Sequence, residues 1–428
     1  MLNRTIAPVI IDPVEFELSL PNHNKYTLKN GVPVYTIDMG EQDTLMVNWI
    51  FSAGNCWEQK NLVAASANHL LKNGTSRLNA FGINEHFEYY GAYLNRSCQN
   101  ENAEIMLHTL GRHLNELLPV VSELITDSIF PADELVIFKK NMQQRLEVSL
   151  KKSDFVAGRL IDAFLFGEKH PYGRYSSFEN YEQLEREEIQ QFYRQYYQNG
   201  QCLILAAGKL PPDLIEQLDI HFGGLNLQKP GKIADNAPFL IDPAIEKKHA
   251  ITIDPVSVQC SIRIARNFPS RKHPDFQKVQ VLNCVLGGFF GSRLMTNIRE
   301  DKGYTYGIHS YLMNLIQDSA IVISTEAGKE VTAATIEEVY KEMRSLREEL
   351  IDEEELHIAR DHMIGAILGD LDGPFQIAAR WKNLLLNELD ESYFYRGVDI
   401  IKSITAKELL ELANLYLRPE DFYELIVA

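Results

Sequence analysis

The sequence predicts an α+β fold made of two homologous halves, each a mainly antiparallel sheet with helices packed on one face. The chain has 428 residues, which is too long for one ordinary hydrophobic core, so we expect at least two domains. Similar helix and strand patterns recur about 220 residues apart, which indicates an internal repeat. Segments with the period of a strand are followed by long segments with the period of a helix, as expected of an α+β protein.

Two features occur in the same order in both halves. Each half has a long amphipathic segment followed by the start of a helix. In the first half the segment is 107–126 and the helix starts at 131–135, and in the second half the segment is 336–349 and the helix starts at 352–356. Each half then has a helix followed by an apolar strand, at 188–196 and 202–207 and again at 408–416 and 423–427. Matching separations at two places indicate a duplicated unit of about 200 residues, which is within the usual size of a domain.

The boundary between the halves is predicted in a segment rich in proline. We expect an N-terminal half at 1–228, an extended linker at 229–247 and a C-terminal half at 248–428, because proline and glycine interrupt regular structure. After the linker, apolar residues alternate with polar ones from Val256 to Ile264. This alternation predicts a half-buried strand.

Composition excludes several functional classes. Hydrophobic residues at 45% and charged residues at 24% are typical of a soluble globular protein, and no apolar stretch is long enough to span a bilayer. The stretch from Ile6 to Ile11 is short, contains Pro8 and makes a poor secretory signal, so we expect a cytoplasmic protein with no membrane partner. The formal net charge of −17 argues against nucleic acid as a partner. The charge is compatible with an acidic cavity that attracts basic peptides, but composition alone favours solubility as its explanation.

A helix is predicted from Leu62 to the Gly74-Thr75 pair, with Gly74 at its C-terminal cap. This segment resembles the metal-binding helix of the pitrilysin, insulinase and mitochondrial-processing-peptidase family of zinc metallopeptidases. In that family an H-x-x-E-H helix runs into a Gly-Thr pair, the two histidines bind zinc and the glutamate activates water. The resemblance aligns Ala65 with the first histidine, Asn68 with the glutamate and His69 with the second histidine.

The residue types at these positions argue against a catalytic zinc. Such an ion needs about three protein ligands and an open position for water, and Ala65 has no donor atom. Asn68 cannot take a proton from water as a carboxylate does. The resemblance suggests Glu147 as the family's third ligand, but a solvated helix glutamate explains Glu147 at least as well. No two histidines are spaced i, i+4, so we expect no metal in this chain and zinc only in a partner chain.

Other motifs of the family are retained in the same order. The first half follows the family pattern with an H-P-Y-G-R segment at 170–174, then the tyrosines of 193–197, and then an apolar strand that ends at Gly208. In the second half, residues 291–307 resemble a family segment in which an arginine, and a tyrosine seven residues later, reach across a central cavity to the substrate's backbone carbonyl. The resemblance gives these substrate-binding roles to Arg299 and Tyr306, whereas strand periodicity alone describes Tyr306 as a packed sheet residue.

These features imply a subunit that binds peptide without cleaving it. The resemblance implies two-chain assemblies, in which one chain carries zinc and the other carries the Arg/Tyr pair. We therefore expect a heterodimer with a homologous chain that has an intact H-x-x-E-H, or a homodimer. Two alternatives remain. One is a non-enzymatic structural or peptide-binding module, and the other is a stand-alone zinc peptidase with a substituted ligand set of His69 and Glu147. The second is less favoured because loss of the general base typically lowers the rate by about 10²- to 10⁴-fold.

Overall fold

The computed structural model describes residues 11–228, 239–268 and 270–428. The chain divides into two compact units. The N-terminal unit comprises Asn22–Ile245 and Gly373–Lys382, and the C-terminal unit comprises Met1–Pro21, Glu246–Asp372 and Asn383–Ala428.

The segment before Asn22 belongs to the C-terminal unit because hydrogen bonds attach it there. Lys402 donates to the carbonyl of Phe16 at 2.6 Å, and the backbone N–H of Leu20 donates to the hydroxyl of Tyr395 at 3.4 Å. Residues 229–238 of the predicted linker at 229–247 lie outside the described residues. The remaining residues of the linker, 239–247, contain neither helix nor strand. The halves at 1–228 and 248–428 stay a prediction.

The N-terminal unit is built on a six-stranded sheet in the order β1-β2-β6-β3-β5-β4. Its strands are β1 (Asn24–Thr27), β2 (Pro33–Asp38), β3 (Leu45–Phe51), β4 (Tyr93–Cys98), β5 (Ala103–Thr109) and β6 (Cys202–Gly208). Its helices are α1 (Val63–Leu70), α2 (Ala80–Tyr89), α3 (Leu114–Asp127), α4 (Ala132–Ser149), α5 (Ser153–Phe166), α6 (Phe178–Glu182), α7 (Arg186–Tyr193) and α8 (Leu214–Phe222). The central strands β3 and β6 are buried along their whole length and form the middle of the core.

The C-terminal unit is built on a five-stranded sheet in the order β7-β11-β8-β10-β9. Its strands are β7 (Lys248–Ile251), β8 (Gln259–Phe268), β9 (Thr305–Asn314), β10 (Ser319–Gly328) and β11 (Tyr423–Val427). The helices after β7 are α9 (Phe276–Asn283), α10 (Thr332–Glu348), α11 (Glu353–Asp370), α12 (Pro374–Leu386), α13 (Glu391–Ser403) and α14 (Ala406–Tyr416). None of the helices that the structure describes is long and apolar enough to cross a membrane.

The two sheets share one topology, which confirms the predicted α+β fold with two homologous halves. In the N-terminal unit β2 pairs with β6 in parallel, and β6, β3, β5 and β4 then pair antiparallel. In the C-terminal unit β7 pairs with β11 in parallel, and β11, β8, β10 and β9 then pair antiparallel. The N-terminal sheet adds β1 at its edge.

One local prediction was wrong at an element end, and the structure adds detail to two others. The strand predicted from Val256 begins at Gln259, because the backbone N–H of Ser257 bonds to the carbonyl of Asp254 at 3.2 Å in a turn. The amphipathic segment at 107–126 is not one helix, since β5 occupies its first residues and α3 follows. The helix predicted up to Gly74 consists of α1 and a tighter 3₁₀ turn from Leu71 to Asn73, and Gly74 is at the C-terminal cap as predicted.

Candidate functional site

The segment that resembles the metal-binding helix forms α1, and a buried carboxylate anchors its start. Glu58 accepts hydrogen bonds from the backbone N–H groups of Leu62 at 3.3 Å and Ala64 at 2.8 Å. Burial raises the pKa of Glu58 to about 7, although these hydrogen bonds and the nearby Arg174 act in the opposite direction. Arg174 lies 3.7 Å from the Glu58 carboxylate and donates to the carbonyl of Asn55 at 2.8 Å. The H-P-Y-G-R motif thus positions α1 through Arg174.

Asn68 faces the core of the N-terminal unit. Its side-chain amide donates to the backbone carbonyl of Glu104 at 3.2 Å and to the hydroxyl of Tyr197 at 3.1 Å. Tyr197 is fully buried, which raises the pKa of its hydroxyl well above the usual value and keeps it neutral. The side chain aligned with the catalytic glutamate is therefore a hydrogen-bonded part of the core, without a carboxylate that could activate water.

Ala65 and His69 lie one turn apart, so they share a face of α1. Partial burial lowers the pKa of the His69 imidazole to about 4, and the charges of Arg96, Arg145 and Lys72 act in the same direction. Arg96 also donates a hydrogen bond to the backbone carbonyl of His69. The same positive charges oppose a divalent cation at this imidazole, and Ala65 offers no second ligand.

Glu147 lies on α4 and is largely solvated. Its side chain is 63% exposed and forms an ion pair with Lys151 one turn later, at 3.6 Å. In the parts of the chain that the structure describes, no group of three histidine, cysteine, aspartate or glutamate side chains close enough to share an ion includes His69 or Glu147. The side chains at Ala65, Asn68, His69 and Glu147 therefore do not fit the zinc centre that the family implies.

Beside Asn68 lies a charged network that sequence reasoning missed. The Glu104 carboxylate, in β5, accepts hydrogen bonds from the Asn48 amide at 2.6 Å and from the Lys382 ammonium at 2.9 and 3.0 Å. Glu104 and Asn48 are buried, and Lys382 is partly exposed. The one signal in the sequence was a glutamate in an apolar strand. Its partner Lys382 is 278 positions away, so local patterns could not reveal the pair.

In the C-terminal unit, Arg299 and Tyr306 come together. Arg299 lies in a π-helical segment at Met295–Asp301. Its guanidinium carbon is 5.3 Å from the ring centre of Tyr306 and 4.7 Å from that of Phe290, so the cation stacks between two aromatic rings. Tyr306 is 92% exposed, which excludes its description as a packed sheet residue.

A β-bulge explains why Tyr306 points into solvent. Ile308 of β9 pairs with Thr325 of β10, and Thr305 pairs with Ala327. Two residues of β9 therefore lie opposite one residue of β10, which changes the side-chain alternation and turns Tyr306 outward. The hydroxyl of Thr325 donates to the carbonyl of Gly307 at 2.9 Å and holds the bulge.

The hydrogen-bonding groups of this pair remain available. Among the described residues, neither the Arg299 guanidinium nor the Tyr306 hydroxyl has a hydrogen-bond or ion-pair partner. Arg293, in the same motif, is instead paired within the fold, because it donates to both carboxylate oxygens of Glu355 at 2.6 and 2.8 Å. The arrangement can therefore donate hydrogen bonds to a ligand through Arg299 and Tyr306.

The chain is similar to known proteins along most of its length. Residues 183–363 match the family model described as the peptidase M16 inactive domain. The uncharacterized zinc protease YmxG of Bacillus subtilis is 22% identical over 367 residues, which cover 85% of this chain and 88% of that protein. The probable mitochondrial-processing peptidase subunit beta of Schizosaccharomyces pombe is 25% identical over 363 residues, which cover 78% and 79%.

The fold is also similar to that of a solved structure. The crystal structure of a peptidase M16 inactive domain from Pseudomonas fluorescens matches with a TM-score of 0.83 at 21% sequence identity, covering 95% of this chain and 98% of the other. The two-sheet architecture, the matched domain and the relatives agree with the motifs retained in the sequence. These similarities support the M16 peptidase family for this chain, and residues 183–363 match its inactive domain.

Proposed function

We propose that the chain is a non-catalytic, peptide-binding subunit that complements a homologous chain with an intact H-x-x-E-H zinc site. One observation carries the proposal. Among the residues that the structure describes, half-buried Arg299 and exposed Tyr306 have unpaired donors, and α1 offers neither a zinc ligand set nor a general base. Arg299 and Tyr306 supply groups that would hold a peptide, and α1 supplies none of the groups that would cut one.

The chemistry of the pair suits a peptide carbonyl. A guanidinium presents a rigid fork of N–H donors and a phenol adds one O–H donor. Such donors bind a carbonyl oxygen in the ground state, and they bind it more strongly when negative charge develops there during acyl transfer. Stacking of Arg299 between Phe290 and Tyr306 limits its rotamers before the peptide arrives, which lowers the entropy cost of binding.

The relatives support a partner chain as the source of zinc. One relative is named as a subunit of a processing peptidase, and another is named as a zinc protease. For this chain we propose a heterodimer with a zinc-bearing homologue, since a homodimer would have no catalytic centre and could only bind peptide. The net charge of −17 favours a basic peptide through long-range attraction. The cytoplasmic location stays a prediction.

The test is reconstitution of peptide cleavage with the chain and an H-x-x-E-H-bearing M16 chain from the same cell. Arg299→Ala should lower kcat/KM of the mixture by about 100-fold, as loss of one donor to a developing oxyanion typically does. Arg344→Ala, which removes an exposed arginine of α10, is the matched control and should leave the rate unchanged. Equal rates for Arg299→Ala and the control would contradict the proposed role.

The alternative of a structural or peptide-binding module makes a different prediction in the same assay. Such a module would bind peptide with an affinity that depends on Arg299, but no M16 chain from the same cell would gain cleavage activity from its addition. Peptide binding without any gain in cleavage would therefore replace the heterodimer proposal with this alternative.

A further inference from the structure

Three potential metal ligands converge in the C-terminal unit, away from α1. His357 and Asp361 lie one turn apart on α11, so their side chains share a face, and Asp12 comes from the segment before Asn22. The His357 Nε2 atom lies 3.3 Å from Oδ2 of Asp12 and 3.5 Å from Oδ2 of Asp361. One ligand atom from each of the three residues lies within 4.8 Å of the others.

The geometry points to a divalent transition-metal site formed by Asp12, His357 and Asp361, and we propose that this chain binds one such ion there. The two distances to His357 Nε2 are longer than the roughly 2.7–2.9 Å of a charged N–H···O hydrogen bond. They match the spacing of neighbouring ligands around a tetrahedral ion, which is about 3.4 Å for metal–ligand bonds of about 2.1 Å. One imidazole nitrogen and two carboxylate oxygens form a ligand set that leaves a fourth position for water.

The charges of the cluster favour a cation. With a neutral imidazole the three side chains carry two negative charges, and with a protonated one they still carry a net negative charge. Among the described residues, no lysine or arginine pairs with Asp12 or Asp361. Among the described residues, Oδ1 of Asp361 is also buried without a hydrogen-bond partner. A bound cation would stabilise both carboxylates.

The positions of the three ligands are fixed by local structure. Oδ1 of Asp12 accepts a hydrogen bond from the backbone N–H of Val14 at 2.9 Å, which orients Oδ2 toward His357. The segment that follows is attached to the same unit through Lys402 and the carbonyl of Phe16. Because Asp12 is preorganised against α11, only small side-chain movements are needed to close the site around an ion.

The chemistry of the ligands also predicts which ion is preferred. Imidazole nitrogen suits zinc and neighbouring transition metals, whereas calcium and magnesium prefer oxygen ligands alone. The site should therefore bind Zn²⁺ in preference to Ca²⁺. It lies on a different element from α1, so zinc bound here would leave the proposal of a non-catalytic subunit unchanged.

The test uses the untagged full-length chain after chelator treatment, with Zn²⁺ alone as the probe in equilibrium dialysis and calorimetry. We expect one zinc per chain and a rise in Tm on zinc addition, since ligands that bind only the folded state stabilise it. His357→Gln and Asp361→Asn should each weaken zinc binding by more than about 100-fold, because loss of even an outer-shell partner typically costs 10- to 100-fold. Their circular dichroism and Tm without metal show whether they fold.

Two histidine variants are the matched controls. His362→Gln changes the next histidine of α11, which stacks on Phe289, and His69→Gln changes the histidine of α1; both should bind zinc as the wild type does. The proposal is overturned if no zinc binds at micromolar concentrations, if folded His357→Gln and Asp361→Asn bind it normally, or if His69→Gln abolishes binding. Binding of Ca²⁺ that His357→Gln leaves unchanged, without zinc binding, would also overturn it.

Discussion

Two segments differ in the burial and hydrogen bonding of their polar side chains. One is α1 of the N-terminal unit, and the other runs from Arg299 to Tyr306 in the C-terminal unit. In α1 the amide of Asn68 is fully engaged by Glu104 and Tyr197 inside the core. In the other segment, Arg299 is half-buried, Tyr306 is exposed, and the two side chains stack on each other. The polar side chain of α1 is therefore part of the core, and the tyrosine of the other segment is not.

The difference shows that two segments of one chain can use their polar groups in opposite ways. An asparagine satisfied by two buried partners contributes to stability, so the changes in α1 are compatible with a well-packed core. Arg299 has no ion pair with any residue that the structure describes, and Tyr306 is largely exposed, so both contribute little to folding. Their exposure is easier to explain by ligand binding than by stability.

The largest expected effect comes from restoring the first histidine and the glutamate of the family motif in α1. Ala65→His combined with Asn68→Glu should lower the free energy of unfolding by about 3–5 kcal/mol, since it places an unpaired charge in the core. The double variant should not gain cleavage activity. Urea unfolding and a peptide assay measure the two effects, with Ala65→His alone as the control on the more exposed face of the helix. Normal stability together with zinc-dependent cleavage would show that α1 is still a working metal helix.

The buried carboxylate that anchors α1 predicts a pH effect. The pKa of Glu58 rises from 4.5 to about 7 on folding, so the folded state binds this proton more tightly and stability falls as pH rises from 4.5 through 7. Between pH 5 and 8 the loss should be about 2 kcal/mol. Glu58→Gln keeps an oxygen acceptor for the start of α1 and should remove this loss, whereas Glu147→Gln, at an exposed glutamate, should not. The same pH dependence in Glu58→Gln and wild type would mean that Glu58 is ionised throughout.

The exposed pair of the C-terminal unit predicts a smaller effect on binding. Tyr306→Ala should weaken peptide binding by about 10-fold, since it removes one hydrogen-bond donor and one face of the cation–π stack, together worth about 1–2 kcal/mol. Tyr306→Phe should retain the part that comes from stacking. Titration calorimetry with a basic peptide measures both, and Tyr311→Phe, on the same strand, is the control. Unchanged affinity in Tyr306→Ala would remove Tyr306 from the binding site.

The smallest expected effect is a change in the pKa of His69. Its imidazole should titrate with a pKa of about 4, because partial burial and then the charges of Arg96, Arg145 and Lys72 disfavour the protonated form. Arg145→Gln should raise this pKa slightly. NMR titration of the ring protons measures it, and a value near 6.5 would show that the imidazole is solvated and free of these charges.

The overall fold was predictable from the sequence because it rests on local patterns and a repeat. The strand at Tyr423–Val427 and the helix starts before Leu135 and Leu356 were found by periodicity and by turn residues. The outward direction of Tyr306 could not be predicted, since it depends on a bulge against a strand about 20 positions later. The pairing of Glu104 with Lys382 was likewise hidden, because sequence periodicity carries no information on contacts 278 positions apart.

The residues of the candidate site could be predicted, but their burial and their hydrogen-bond partners could not. The family motifs located Asn68, His69, Arg299 and Tyr306. They did not show that Asn68 is hydrogen-bonded inside the core or that Arg299 has no hydrogen-bond or ion-pair partner in the part of the chain that the structure describes. Those two facts depend on tertiary packing, and they are what the proposed function uses.

The central claim is that this chain binds peptide and a homologous chain cleaves it. The most direct measurement is chelator-controlled peptide cleavage by the purified chain alone, by an H-x-x-E-H-bearing M16 chain from the same cell alone, and by the two mixed. Using the Asp361→Asn variant in parallel separates any effect of zinc at Asp12, His357 and Asp361 from catalysis. The account predicts no cleavage by this chain alone and chelator-sensitive cleavage in the mixture well above that of the partner alone. Chelator-sensitive cleavage by this chain alone would contradict it.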